Sequence, residues 1–326
     1  MHAILCPRSN LPIIPLSTAN TTQWCFWTAA FGFSANCFQD LYKARNVLHQ
    51  ANTNLSHSQK ELLLWHQRLS HASVKWIQVL MTERQWLPND NNQPLHSGPL
   101  LKTKAGSRAR CCDCTTLLCV ACLYAKASTR SPSNQAPRPS PKNSVLKKEH
   151  LQPGDCLSVD HYFSPIVGRP PHTFGRERNG YTCGSLFVDH ASGKIFNFSQ
   201  YSNTAAELIK SKTRLETMAQ EIGVCIKKYH LDNGIVASEE FKKHCDAHNQ
   251  RYSFSGVGAK HQNGIAERNI KTVAQWARAN MLHLASLWPE HANAKFWPQA
   301  IDYICCLGVQ QIAKHGFWYH TGRNLA

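Results

Sequence analysis

Residues 260–273, KHQNGIAERNIKTV, begin as a polar loop around one glycine and run straight into a helical pattern. Ala266, Ile270, Val273, Ala277, Met281 and Leu284 recur every three or four residues, the spacing of one buried helix face. Beside that stripe stand Glu267, Lys271 and Arg278. Between Lys260 and Trp288 the bases are Lys260, Arg268, Lys271 and Arg278, and the sole acid is Glu267. Packing alone does not explain one carboxylate at the rim of a core, set in a basic surface.

Working outward, the texture before this helix is α/β. CLSVDHY (156–162) and TCGSLFVDH (182–190) read as strands, and ASGKIFNFS (191–199) as a turn and a third strand. Residues 204–222 read as a helix, VCIKKYHLD (224–232) as a strand, and 238–249 as a helix capped by Ser238. A short strand at 251–255 leads to the loop before Glu267. This order predicts a mixed sheet covered by helices. Asp160 and Asp232 each fall at the end of a strand pattern, where loops open and ligands bind. Three carboxylates from three elements repel one another unless a hard cation lies between them. Mg²⁺ takes oxygen ligands and commonly binds a few carboxylates plus substrate phosphate. Each acid also has a plainer role. Asp232 precedes Asn233-Gly234, a turn pair, and Glu267 in a first helical turn complements the helix dipole. Asp189 repeats the Val-Asp-His context of Asp160 but leads into Ala191-Ser192-Gly193-Lys194, a hairpin turn, and reads as structural.

Upstream, a helical pattern from Ser58 carries His66 and His71, and LCVACLYAKAS carries Cys119 and Cys122. Two imidazoles and two thiolates make a full tetrahedral set for a structural Zn²⁺, with Cys-x-x-Cys as the knuckle. The two histidines stand about 140° apart on an ideal helix, so one must lie beyond the helix end. Cys111 and Cys114 offer a second Cys-x-x-Cys, an alternative to Cys119 and Cys122.

The 326 residues allow two domains and a sizeable core. Lys and Arg number 36 against 20 acids, a net charge of +16, which points to polyanionic partners, nucleic acid before membrane. The apolar run at 24–33 is too short to span a bilayer, and the first residues lack the pattern of a signal peptide. An intracellular, reducing setting follows, in which 14 cysteines favour metal over disulfides. Residues 1–55 show no clear period and are expected to be poorly ordered. Residues 56–130 hold the zinc module, and the proline-rich, basic stretch 131–149 reads as a linker suited to lie along phosphates. Residues 150–290 form the α/β core, and 291–326 read as a truncated or divergent tail.

LSVDHY, HLDNG and FSGVGAKHQNGIAERNIKTV together resemble the catalytic core of copia-type (Pseudoviridae-like) retrotransposon integrases. Trp-His-x-Arg-Leu-x-His followed by Cys-x-x-Cys and Lys126 is similar to the pre-integrase His-His-Cys-Cys module of the same elements. The resemblance implies an RNase H-like fold within a fragment of a Gag-Pol polyprotein. It implies Asp160, Asp232 and Glu267 as a catalytic triad on two Mg²⁺ or Mn²⁺ ions. It implies DNA 3′-end processing and strand transfer, carried out as a homo-oligomer in the nucleus on element ends and target DNA. Residues 232 and 267 have 34 residues between them, one short of the family's usual spacing. The 47 residues between His71 and Cys119 exceed the family's usual number, a departure that bears on the zinc ligands. Lys271, Arg268, Gln262 and Asn263 are the expected DNA contacts, with Asn263-Gly264 alternatively a turn-former. Two other readings remain: an inactive relic that only binds nucleic acid, and a zinc-dependent interaction module.

Overall fold

The computed structural model describes residues 55–81, 101, 118–127, 151–171, 179–232, 238–256 and 263–307, together with four short strand segments at 4–5, 12–13, 85–88 and 94–97. Most of 1–55, all of 131–149, Cys111, Cys114 and Gln262 lie outside the described residues, as do 308–326.

Five strands form the central sheet: β1 (Leu157–Gly168), β2 (Tyr181–Asp189), β3 (Ile195–Gln200), β4 (Lys228–Leu231) and β5 (Arg251–Phe254). Their order is β3-β2-β1-β4-β5. The first three form an antiparallel meander, whereas β4 pairs parallel to β1 and β5 parallel to β4. Only β2 therefore runs against the rest. This is the RNase H-like arrangement, a mixed sheet flanked by helices.

Local chemistry fixes the turns. Asp189 is buried and accepts hydrogen bonds from the Gly154 N–H (3.0 Å), the Ser192 N–H (2.7 Å) and the Ser192 hydroxyl, which shapes the β2–β3 turn. Asp189 is thus structural, as its sequence context suggested. Tyr162 on β1 faces Gly184 on β2, and a Cβ at Gly184 would overlap the tyrosine ring. The freed space lets the Tyr162 hydroxyl donate to Asn197 Oδ1 at 2.7 Å.

Helices α1 (His57–Arg68), α2 (Val74–Met81) and α3 (Val120–Lys126) precede the sheet. Helices α4 (Ala205–Gln220), α5 (Glu239–Ala247), α6 (Gly264–Leu287) and α7 (Trp297–Leu307) follow within and after it. Side chains alternate across a strand, so successive β1 residues serve opposite faces. Leu157 and Val159 join Phe187, Tyr229, Leu231, Leu215 and Phe241 in a core with α4 and α5. On the other face, Leu186 and Val188 meet Val273, Trp276 and Ala277 of α6 and Ile301 and Ile304 of α7. Leu62, Ile77 and Leu80 of α1 and α2 belong to that same cluster. Helix α3 buries Val120, Ala121 and Ala125 against Ala279 and Leu282 of α6.

Three expectations shift. Strand β1 runs on to Gly168, so Asp160 lies within it rather than at its end; the parallel ladder with β4 is what stops, at Val159 and Leu231. Strand β4 begins only at Lys228, because Gly223 (φ 75°) and the Val224 N–H to Ala219 carbonyl bond close the end of α4 first. Residues 297–307, expected in a divergent tail, form α7 and contribute Trp297, Ala300, Ile301 and Ile304 to the core. Helices α1 and α2 and the sheet likewise share one apolar cluster.

Candidate active site and metal centre

Asp160 and Asp232 become neighbours through the β1–β4 register. Val159 pairs with Leu231, and each aspartate is the next residue in its chain. Because Val159 is buried on the α4–α5 side, Asp160, the next residue in β1, faces the α6 side, and Asp232 follows the last residue of β4. Glu267 lies in the first turn of α6, exposed, on the helix that covers that side. The Asp160 carboxyl is pushed up to about 6, first by burial, then by the charges of Asp232 and Glu267, against a hydrogen bond from the His161 N–H at 2.8 Å. The charges of Asp232 and Glu267 thus reach the Asp160 carboxyl.

The start of α6 is fixed by Asn263. Its Nδ2 donates to the Val159 carbonyl at 3.1 Å, immediately before Asp160, and its side chain is buried. Asn263, expected as a DNA contact, instead ties the glutamate-bearing helix to the aspartate-bearing strand: the amide finds a backbone acceptor inside and leaves no side chain at the surface. Arg268 and Lys271 are exposed near Glu267. Arg278, also on α6, donates to the Ala125 carbonyl of α3 at 3.1 Å, and burial lowers its guanidinium to about 10.

The second constellation is tighter. His66, His71, Cys119 and Cys122 bring one ligand atom each within 4.8 Å of one another, a compactness that the carboxylates do not share among the described residues. His71 lies beyond the end of α1, as the spacing required. Ser70 and His71 both adopt left-handed backbone (φ 58° each), which folds the chain back so that the His71 N–H donates to the His66 carbonyl at 2.8 Å. Non-glycine residues pay about 1–2 kcal/mol each for that conformation. The resulting separations are 3.3 Å from His66 Nε2 to His71 Nδ1, 3.3 Å from His66 Nε2 to Cys122 Sγ, 3.4 Å from His71 Nδ1 to Cys119 Sγ and 3.7 Å from His71 Nδ1 to Cys122 Sγ.

Tetrahedral Zn²⁺ with bonds of about 2.05 Å to nitrogen and 2.3 Å to sulfur requires about 3.3 Å between nitrogens and about 3.6 Å between nitrogen and sulfur. The donor set fits that ion. Burial lowers the His71 pKa, favouring the neutral ring that a metal needs. The Cys122 thiolate is favoured chiefly by a hydrogen bond from Cys119, then by those from His66 and His71. His66 Nδ1 bonds to the Ala72 carbonyl at 2.7 Å, and Lys126 donates to the His71 carbonyl at 3.2 Å.

With this geometry in place, comparison with known proteins has a frame. No family model matches the sequence. Over 269 residues the chain is 24% identical to the retrovirus-related Pol polyprotein from transposon TNT 1-94 of Nicotiana tabacum. The chain resembles a retrotransposon Pol polyprotein. The match takes in 82% of this chain and 17% of that polyprotein, so the chain spans about a sixth of its relative's length. Among solved structures, a simian T-cell lymphotropic virus intasome in complex with a PP2A regulatory subunit overlaps 52% of this chain and 53% of its own, at 19% identity and TM-score 0.35. The magnesium-bound HTLV-2 integrase catalytic core overlaps 46% of this chain and 86% of its own, at 18% identity and TM-score 0.32. None of the described helices is long and apolar enough to cross a membrane.

Sequence reasoning missed the tether made by Asn263 and the buried role of Arg278. The Gln-Asn-Gly context read equally as a loop at a DNA surface. Nothing in the one-dimensional pattern of α6 shows that α3 covers its rear face.

Proposed function

We propose that this chain is a retrotransposon-type integrase fragment that performs DNA 3′-end processing and strand transfer by phosphoryl transfer. The reading is carried by the register that sets Asp160 and Asp232 just beyond the paired residues Val159 and Leu231, with Glu267 in the first turn of α6; the half-buried Asp160 carboxyl is raised to about 6, first by desolvation and then by the charges of Asp232 and Glu267. A structural acid has partners that hold it ionised. Here two further acids oppose ionisation, an arrangement that costs stability and suits a site completed by cations. Asp160, Asp232 and Glu267 would hold two Mg²⁺ or Mn²⁺ ions. Such a pair, when bound, activates an attacking oxygen and stabilises the leaving one.

The chain's own residues supply the rest. The β1–β4 register holds the two aspartates side by side, and Asn263 fixes where α6 enters, hence where Glu267 stands. Lys271, one turn beyond Glu267, and Arg268 bind phosphates without reading sequence. His66, His71, Cys119 and Cys122 hold a structural Zn²⁺, which offsets the backbone strain at Ser70 and His71.

The test is Mg²⁺- or Mn²⁺-dependent joining of a labelled DNA end to target DNA. Wild type should join ends. Asp160→Asn and Glu267→Gln should bind DNA but join none. Joining by either variant at the wild-type rate would sink the proposal. DNA binding without joining by wild type would leave the relic reading in its place.

A further inference from the structure

Lys212 of α4 is fully buried, and a buried ammonium is unfavourable unless partners surround it. Its Nζ pairs with Glu216 Oε1 at 2.9 Å and lies 5.4 Å from the centre of the Tyr229 ring on β4. Glu216 also accepts from the Tyr229 hydroxyl at 2.6 Å and from Gln250 Nε2 at 2.7 Å. Despite burial, the hydrogen bonds from Tyr229, Lys212 and Gln250 hold the Glu216 carboxyl below its usual range. A further partner of Lys212 comes from α5: His244 Nδ1 stands 3.0 Å from Nζ. An ammonium donates three hydrogen bonds and accepts none. His244 Nδ1 is therefore the acceptor, the ring is neutral, and its proton sits on Nε2.

The His244 ring also stacks on His248, with centroids 4.4 Å and planes 19° apart, and His248 Nδ1 donates to the His244 carbonyl at 2.8 Å. The titratable groups acting on His244 are thus Lys212 and Glu216 of α4 and His248 of its own helix. Tyr229 of β4 joins them through Glu216, and Gln250, just before β5, is neutral. The acid of the group, Glu216, is already engaged by three donors. A second proton on His244 would remove the acceptor and set two cations 3.0 Å apart.

We propose that His244 is an acid-sensitive latch: neutral, it holds α5 to the buried Lys212, and protonated, it releases α5. The latch belongs to the fold and holds whatever chemistry the carboxylates perform. Its effect extends to β4, because the same polar group holds Tyr229, three residues before Asp232. Burial, then Lys212 and His248, lower the His244 pKa below 6.5 in the folded chain. The closed form therefore binds this proton less tightly than a form with α5 released. Closure is undiminished above pH 6.5 and weakens as pH falls below it.

The experiment is hydrogen exchange of the α5 amides in the purified full chain from about pH 7.5 to 5.5, corrected for intrinsic exchange and referenced to α7. In wild type the opening of α5 should rise below pH 6.5, by at most about tenfold per pH unit, the ceiling for one proton. His244→Asn sets an amide oxygen near the Nδ1 position and does not titrate, so its α5 should show no such rise. An NMR titration of wild type, which needs no variant, should find the His244 ring half-protonated only below pH 6.5. A ring that titrates at 6.5 or above, an α5 that opens no more than α7 as pH falls, or the same rise in His244→Asn overturns the inference.

Discussion

Replacing Asp160 with asparagine should make the cation-free protein more stable, and by an amount that depends on pH. The carboxyl rises from 3.8 to about 6 on folding, a shift equivalent to about 3 kcal/mol at pH 7.5. The group is only half-buried, so solvent screening reduces this to about 1–2 kcal/mol. The folded state holds the proton more tightly than the unfolded one. This contribution therefore erodes stability as pH climbs from about 4 through about 6, and is absent below both values. Asparagine keeps an oxygen for the His161 N–H and removes the charge. In magnesium-free buffer with zinc left in place, thermal unfolding at pH 7.5 should move upward by about 2–8 °C, taking about 2–4 °C per kcal/mol for a chain of this size. At pH 5 wild-type Asp160 is mostly protonated, and the gain should shrink to about half. Added Mg²⁺ should then stabilise wild type and not the variant. A variant no more stable than wild type at pH 7.5, or a gain independent of pH, would show that the Asp160 carboxyl is not raised by its surroundings.

Other expectations follow from separate contacts. Asn263→Ala removes the link between α6 and β1 and should lower stability by about 1 kcal/mol; strand transfer should fall while DNA affinity, measured by fluorescence anisotropy, stays near wild type. Lys271→Ala should weaken DNA binding alike on unrelated sequences and reduce the log–log salt slope by about 0.9, as for loss of one phosphate contact. Cys119→Ser should abolish the one zinc per chain found by metal analysis. If Cys111→Ser does so instead, the ligand set drawn here is wrong. Zinc removal should destabilise the whole described core, not α1 to α3 alone, and hydrogen exchange along α6 should report it.

Much of the sheet was legible because its strands alternate and its turns carry Asn-Gly and Ser-Gly signals. Asp160, Asp232 and Glu267 stood out through their places in those patterns. What escaped the sequence depends on distant partners. Strand β1 continues past Asp160 because β2 pairs with it through Phe163 and again at Gly168, a register not encoded locally. Helix α7 begins with Trp297-Pro298, and proline in a first turn is compatible with a helix; the unfamiliar residues after it hid an ordinary amphipathic segment. The return of His71 towards His66 rests on two left-handed residues that no propensity would suggest. Asn263 could be read as turn or contact until its acceptor, 104 positions away, was in place.

The sheet order also sets the sequence of events by which the protein takes shape. The β1–β2–β3 meander joins near neighbours in the chain, and its contacts close quickly. The pairing of β1 with β4 must wait until the chain through α4 has been laid down, because parallel neighbours need a crossover. Asp160 is thus positioned early and Asp232 late, with Glu267 later still on a helix that begins 33 residues after β4 ends. During synthesis no cation site of the proposed kind exists on the emerging chain until its slowest, most non-local contacts are made. Any chemistry of the proposed kind is withheld by topology until the fold is complete.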